Sequence, residues 1–83
     1  MFFVYILYSE SSDRFYIGYT SSIENRIIAH NHPQNKGWTS AFMPWRLVYT
    51  EKFEFKHEAM ERERKLKSLK SKILIKKLVK LNP

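Results

Sequence analysis

The stretch Phe2-Phe3-Val4-Tyr5-Ile6-Leu7-Tyr8, followed by Ser9-Glu10-Ser11-Ser12-Asp13 and then Arg14-Phe15-Tyr16-Ile17-Gly18-Tyr19-Thr20, decides the fold. Two runs of β-branched and aromatic residues flank five residues of turn composition, which predicts an antiparallel hairpin with strands over about 2–8 and 14–20. Side chains alternate across a strand, so the register decides which residues share a face. Opposed residues summing to an odd number, as with Tyr8 opposite Asp13 and Tyr5 opposite Tyr16, put both of the latter tyrosines on one face. An even sum would separate them.

Beyond the hairpin, Ser21-Ser22-Ile23-Glu24 fits a capping box. Ile23, Ile27 and Ile28 give an apolar face to a helix over about 22–31, on which Arg26 and His30 stand four apart and project from one side. Pro33 ends that helix, and His32-Pro33-Gln34-Asn35-Lys36-Gly37 has loop chemistry. After Pro44, the run from Trp45 to about Glu51 reads as a third strand. Helix formers follow over about 56–69, with Ala59, Met60, Leu66 and Leu69 as the apolar set. At about 100° per residue, Glu63 falls between Ala59 and Met60, so a carboxylate is aimed at the apolar arc. A break over 68–71 precedes a last helix over about 71–81, carrying Ile73, Leu74, Leu78, Val79 and Leu81.

Eighty-three residues leave room for one core and predict a single domain spanning 1–83. With no cysteine, disulfide frameworks, thiolate zinc sites and thiol nucleophiles are excluded. The apolar start lacks a basic leader and a small-residue cleavage site, and no run approaches a membrane-spanning length, so the expected location is the cytoplasm and no membrane partner is expected. The formal charge of +7 predicts a polyanionic partner. That charge is unevenly spread: residues 1–50 carry four bases against three acids, the remainder eleven against five. From Arg62 to Lys80 there are nine bases and one acid, Glu63, which favours a phosphate-binding surface over a merely solvated helical face.

Val4-Tyr5-Ile6, Tyr16-Ile17-Gly18, the Arg26-x-x-x-His30 helix and Ala59-Met60-Glu61-Arg62-Glu63, in that order, resemble the GIY-YIG endonuclease domain. Pro44-Trp45-Arg46-Leu47-Val48-Tyr49 and Arg62-Glu63-Arg64-Lys65-Leu66-Lys67 extend the likeness toward the small standalone bacterial members. The resemblance implies an α/β fold with a three-stranded antiparallel sheet flanked by helices, and metal-dependent hydrolysis of a phosphodiester bond in DNA at one divalent ion. Carried over, it implies catalytic roles for Tyr5, Tyr16, Arg26, His30 and Glu63, with Glu63 holding Mg²⁺ or Mn²⁺. Phe3 departs from the pattern where the first motif has glycine, and Phe55 stands at the position of a polar helix cap.

The chemistry suits these residue types. Glu63 would supply one carboxylate to a hard cation, and Arg26 a planar fork for a phosphate oxygen. Tyr5 would orient or deprotonate the attacking water, with its pKa lowered by metal and arginine, while Tyr16 and His30 position water or phosphate. Gly18 would let phosphate or a facing helix approach closely, and Lys36, Arg64, Lys65, Lys67 and Lys70 would contact the DNA backbone. Thr39 is placed with Lys36 at the cleft, Trp38 and Trp45 are read as packing residues, and His32 and His57 carry no assigned role. Branched and single-stranded DNA are the candidate substrates, with a dimer or a partner protein as an alternative source of targeting. The rival function is a catalytically inactive nucleic-acid-binding module of the same fold.

Overall fold

The computed structural model describes residues 1–80. Strand β1 (Phe2–Ser9) and strand β2 (Arg14–Thr20) form the hairpin, and helix α1 (Ile23–Asn31) follows. A 3₁₀ helix over Trp38–Phe42 leads into strand β3 (Arg46–Phe53), helix α2 (Lys56–Ser68) and helix α3 (Lys72–Val79). The sheet is antiparallel throughout, in the order β2-β1-β3. All three strands and three helices lie where the sequence predicts them. The 3₁₀ helix is an addition that the loop composition around it conceals, and Leu81 falls outside the described residues.

Being central, β1 is covered on both faces, which is why four consecutive residues, Val4-Tyr5-Ile6-Leu7, are buried. On one face Val4, Ile6 and Ile17 pack with Ala59 and Leu66 of α2 and Ile75 of α3. On the other, Tyr5, Leu7 and Trp45 are joined by Tyr16, Ile23, Ile27, Phe42 and Met43. Between Ile6 and Leu7 the pairing with β3 slips past Val48, a bulge in the edge strand.

The odd register holds, but it lies two residues from the expected pairing. Gly18, not Tyr16, stands opposite Tyr5, and Tyr16 faces Leu7. The last pair is Ser9 with Arg14, leaving a tight turn in which Asp13 takes φ of 53° and accepts from Tyr8 Oη at 2.7 Å. Ser9 Oγ bonds Ser12 Oγ across the same turn at 2.9 Å. The parity that unites the tyrosines survives because a two-residue slide leaves every side chain on its own face.

Local details differ from the sequence reading for physical reasons. The N-cap of α1 is Ser22, whose hydroxyl accepts from Asn25 N–H, so the Ser21/Glu24 box does not form. On α1 the inward positions are Ile23, Ile27 and His30, while Ile28 turns outward. At the start of α2, Phe55 has no acceptor, and Glu58 supplies half a box by accepting the Phe55 N–H at 3.1 Å. Met60 and Leu69 lie toward solvent, and α3 buries Ile75 rather than Ile73 or Leu74.

Candidate active site

The site grows from the aromatic face of the hairpin. Tyr5 is only 1% exposed and its ring lies across Gly18, where an added Cβ would stand 2.5 Å from the Tyr5 hydroxyl. Glycine is therefore required at position 18 by the close approach of Tyr5 itself. Tyr16 sits diagonally across the strand pair with its ring centroid 6.1 Å from that of Tyr5.

Helix α1 brings His30 onto this pair. Its ring centroid is 4.4 Å from Tyr16, and its Nε2 lies 3.3 Å from Tyr5 Oη. The other ring nitrogen, Nδ1, lies 3.3 Å from Thr39 Oγ1. Asn35 then braces both ends of this contact, donating its amide to Thr39 Oγ1 at 2.8 Å and to the His30 carbonyl at 3.0 Å. With Asn35 already donating to Thr39, two tautomers of His30 fit the chain. In the one with Nδ1–H donated to Thr39, the Tyr5 hydroxyl donates to Nε2. Asn31 fixes the end of α1 to β3 by accepting from Trp45 N–H at 2.6 Å and donating to its carbonyl at 2.8 Å. Sequence reasoning placed Thr39 at the cleft, which it lines, but missed the support that Thr39 and Asn35 give His30. They contact His30 across an irregular loop, so no periodicity marks them, although polar residues cluster there.

Electrostatics set the protonation states. Burial pushes the Tyr5 phenol above its ordinary pKa, and the Arg26 guanidinium beside it opposes this. The expected lowering of Tyr5 is thus not what the protein alone produces. Burial, followed by the charge of Arg26, holds His30 below the usual histidine value and so keeps it neutral at pH 7. Arg26 itself is raised, chiefly by the neighbouring Tyr5 phenol. An open cleft lined by Tyr16, Arg26, His30, Trp38 and Thr39 gives solvent access to this group.

Glu63 approaches from elsewhere. It stands on α2 with Ala59, Arg62 and Leu66 on the inward side of that helix, its side chain 18% exposed and paired to Lys67 at 3.2 Å. Its partner Lys67 borders a second groove, which Tyr16 and Trp38 also line. No group of three or more His, Asp or Glu side chains poised for a metal occurs among the described residues. A carboxylate shielded on one side and held by a single flexible lysine fits a hard divalent cation that takes its remaining oxygens from water and phosphate.

The basic candidates divide. Lys67 and Lys70 line a groove with Arg14 and Lys72. Lys65 instead borders the depression between α2 and α3, beside Leu66, Leu69 and Leu74, and does not face the tyrosines. Lys36 and Arg64 are exposed, and Lys36 is outside the cleft that its neighbour Gly37 lines. Trp45 is packed at 2% exposure as expected, but Trp38 is 57% exposed and stands at the cleft mouth.

The sequence profile of the GIY-YIG catalytic domain matches residues 1–78. This chain belongs to the GIY-YIG family. It is thereby placed in a family of nuclease domains. A UPF0213 protein of Natronomonas pharaonis is 39% identical over 67 residues, covering 81% of this chain and 78% of the relative. Another, from Clostridium perfringens, is 42% identical over 69 residues, covering 83% and 73%. The solution structure of a UPF0213 protein from Bacillus halodurans, 36% identical, superposes with a TM-score of 0.59 over 99% of this GIY-YIG chain and 86% of that one. No helix among the described residues is long and apolar enough to cross a membrane.

Proposed function

We propose that this GIY-YIG domain is a metal-dependent DNA endonuclease whose working groups are Tyr5, Tyr16, Arg26, His30 and Glu63. The observation that carries the reading is the convergence of the Tyr16 phenol, a guanidinium and a neutral imidazole on one open cleft of a net basic chain, with the buried Tyr5 phenol in contact behind them. A structural aromatic cluster alone calls for neither a neutral, doubly hydrogen-bonded histidine nor a guanidinium beside its tyrosines.

Arg26 grips a non-bridging oxygen of the scissile phosphate and neutralises charge that grows as the nucleophile adds. Tyr16, the phenol at the open side, orients the attacking water. The proton leaves the water for the Tyr5 oxygen as the Tyr5 hydroxyl proton passes to His30 Nε2, and His30 returns it to solvent after turnover. Attack at phosphorus breaks one P–O ester bond, leaving a phosphate monoester end and a hydroxyl end whose oxygen takes its proton from solvent. Glu63 would hold a divalent ion, Mg²⁺ or Mn²⁺, and that ion would supply charge stabilisation to the phosphate and the leaving oxygen. Lys67 and Lys70 carry the DNA backbone past the site.

The test is incubation of the purified protein with branched, nicked, single-stranded and duplex DNA, with Mg²⁺ or Mn²⁺ and with EDTA. Metal-dependent cleavage that disappears in Glu63→Ala and falls sharply in Tyr5→Phe is expected. Cleavage surviving Glu63→Ala overturns the site assignment. Salt-sensitive binding with no cleavage of any substrate would make the protein a binding module instead.

A further inference from the structure

We infer that Trp38 is a stacking platform for an unpaired nucleobase of the substrate strand, so that the protein takes DNA with a single-stranded segment rather than continuous duplex. This rests on the nuclease reading above and names the substrate class for the same site. Trp45 keeps its indole inside the protein, whereas Trp38 presents more than half of its surface to water. The exposed ring is nonetheless held firmly, with Tyr16 tilted against it at 5.8 Å, Phe42 edge-on at 5.9 Å and Trp45 perpendicular at 6.1 Å. An apolar plane fixed by three aromatic neighbours and left open to solvent needs a flat partner, and every nucleobase has one.

The position of Trp38 selects among possible occupants. It lines both the cleft with Tyr16, Arg26 and His30 and the groove with Arg14, Lys67, Lys70 and Lys72. A strand lying in that groove therefore passes the indole on its way to the site. The groove's cations are positioned by the fold: Arg14 lies over the Phe42 ring at 4.6 Å, Lys67 pairs with Glu63, and Lys72 pairs with Asp13 at 3.3 Å. Four cations against those two carboxylates leave the groove net positive, as a phosphate backbone requires. Paired bases present only their edges to a groove, whereas stacking on the indole needs an open base face. The combination of backbone cations and one aromatic platform is that of a single-strand binder.

Fluorescence anisotropy in EDTA separates binding from cleavage. The probes are an oligodeoxythymidylate, the same oligonucleotide with abasic sites, and a blunt hairpin duplex. Parent protein should prefer the oligodeoxythymidylate to the duplex, and abasic sites should weaken it by about 10-fold, the scale of one stacked base. Trp38→Leu, apolar but not flat, should lose the same factor while leaving duplex binding unchanged, and Trp38→Phe should recover most of it. Thermal unfolding of each variant identifies any that fails to fold, and the Phe variant and the abasic probe then still decide the question. Equal affinity for duplex, or a Trp38→Leu loss common to all three probes, would overturn the inference. Failure of the nuclease reading would look different: stacking-dependent binding with no cleavage in any metal. Cleavage of blunt duplex that is indifferent to position 38 would leave the nuclease and remove the platform.

Discussion

The two faces of strand β1 are built from alternate residues of one short sequence, yet they follow different rules. Val4 and Ile6 pack in an apolar cluster with Ile17, Ala59, Leu66 and Ile75. Tyr5, on the opposite face, meets a phenol, an imidazole and, through it, a threonine hydroxyl and an asparagine amide. Dry packing tolerates changes of shape at a cost in stability alone, whereas a buried polar chain fails if any member is missing. Separating the two by strand alternation lets one face anchor the sheet while the other positions reactive groups. No described side-chain nitrogen or oxygen that is buried lacks a partner, so the polar face sits in the interior without an orphaned group.

Four outcomes would break or sharpen this contrast. The largest is catalytic: Arg26→Ala and Glu63→Ala should each lower cleavage by about 100-fold or more with thermal unfolding close to the parent, because Arg26 is exposed and Glu63 pairs only with Lys67. Next, Ile6→Ala on the dry face should cost about 2–5 kcal/mol in denaturant unfolding while leaving the rate per folded molecule unchanged. Gly18→Ala should cost about 1–3 kcal/mol and also abolish cleavage, since its methyl group displaces the Tyr5 ring. If Gly18→Ala behaves like Ile6→Ala, the two faces are not functionally distinct.

The third outcome concerns pH. His30 has a folded pKa below its ordinary value of 6.5, so across that window the unfolded chain binds more protons than the folded one. Stability should rise with pH there and be lost as pH falls from about 6.5 toward the folded value. Cleavage should share the same acid limb, and His30→Asn should remove that component from the unfolding profile. The smallest effect belongs to the turn, where Asp13 pairs with Lys72 and Lys76 of α3. Its hydrogen bond from Tyr8, with the two lysines, brings its pKa down to about 2. Asp13→Asn should therefore be slightly less stable than the parent at neutral pH, and the difference should close between pH 4 and about 2.

What could be read in advance follows from how local each signal is. Strand alternation and turn residues are written into consecutive positions, so the hairpin and the shared face of Tyr5 and Tyr16 were legible. The pairing of Tyr5 with Gly18 was not, because it depends on a ring filling the space of a missing Cβ in a neighbouring strand. On α2 the heptad-like set Ala59, Arg62, Glu63 and Leu66 emerges only once Met60 and Leu69 prove to flank the contact rather than form it. The exposure of Trp38 was hidden for a similar reason: aromatic character favours burial on average, and this ring packs on Tyr16, Phe42 and Trp45 from a 3₁₀ turn with no periodic pattern.

The strand at the centre of the sheet is also the first to be synthesised. Its hairpin partner follows within a few residues, but the pairing of Leu7 with Leu47 waits for β3, and Glu63 arrives later still. Contacts of such different sequence span close at different times. On the ribosome, the phenols, Arg26 and His30 emerge before the helix that carries the carboxylate. The order of synthesis therefore keeps the proposed site incomplete on the nascent chain until α2 docks.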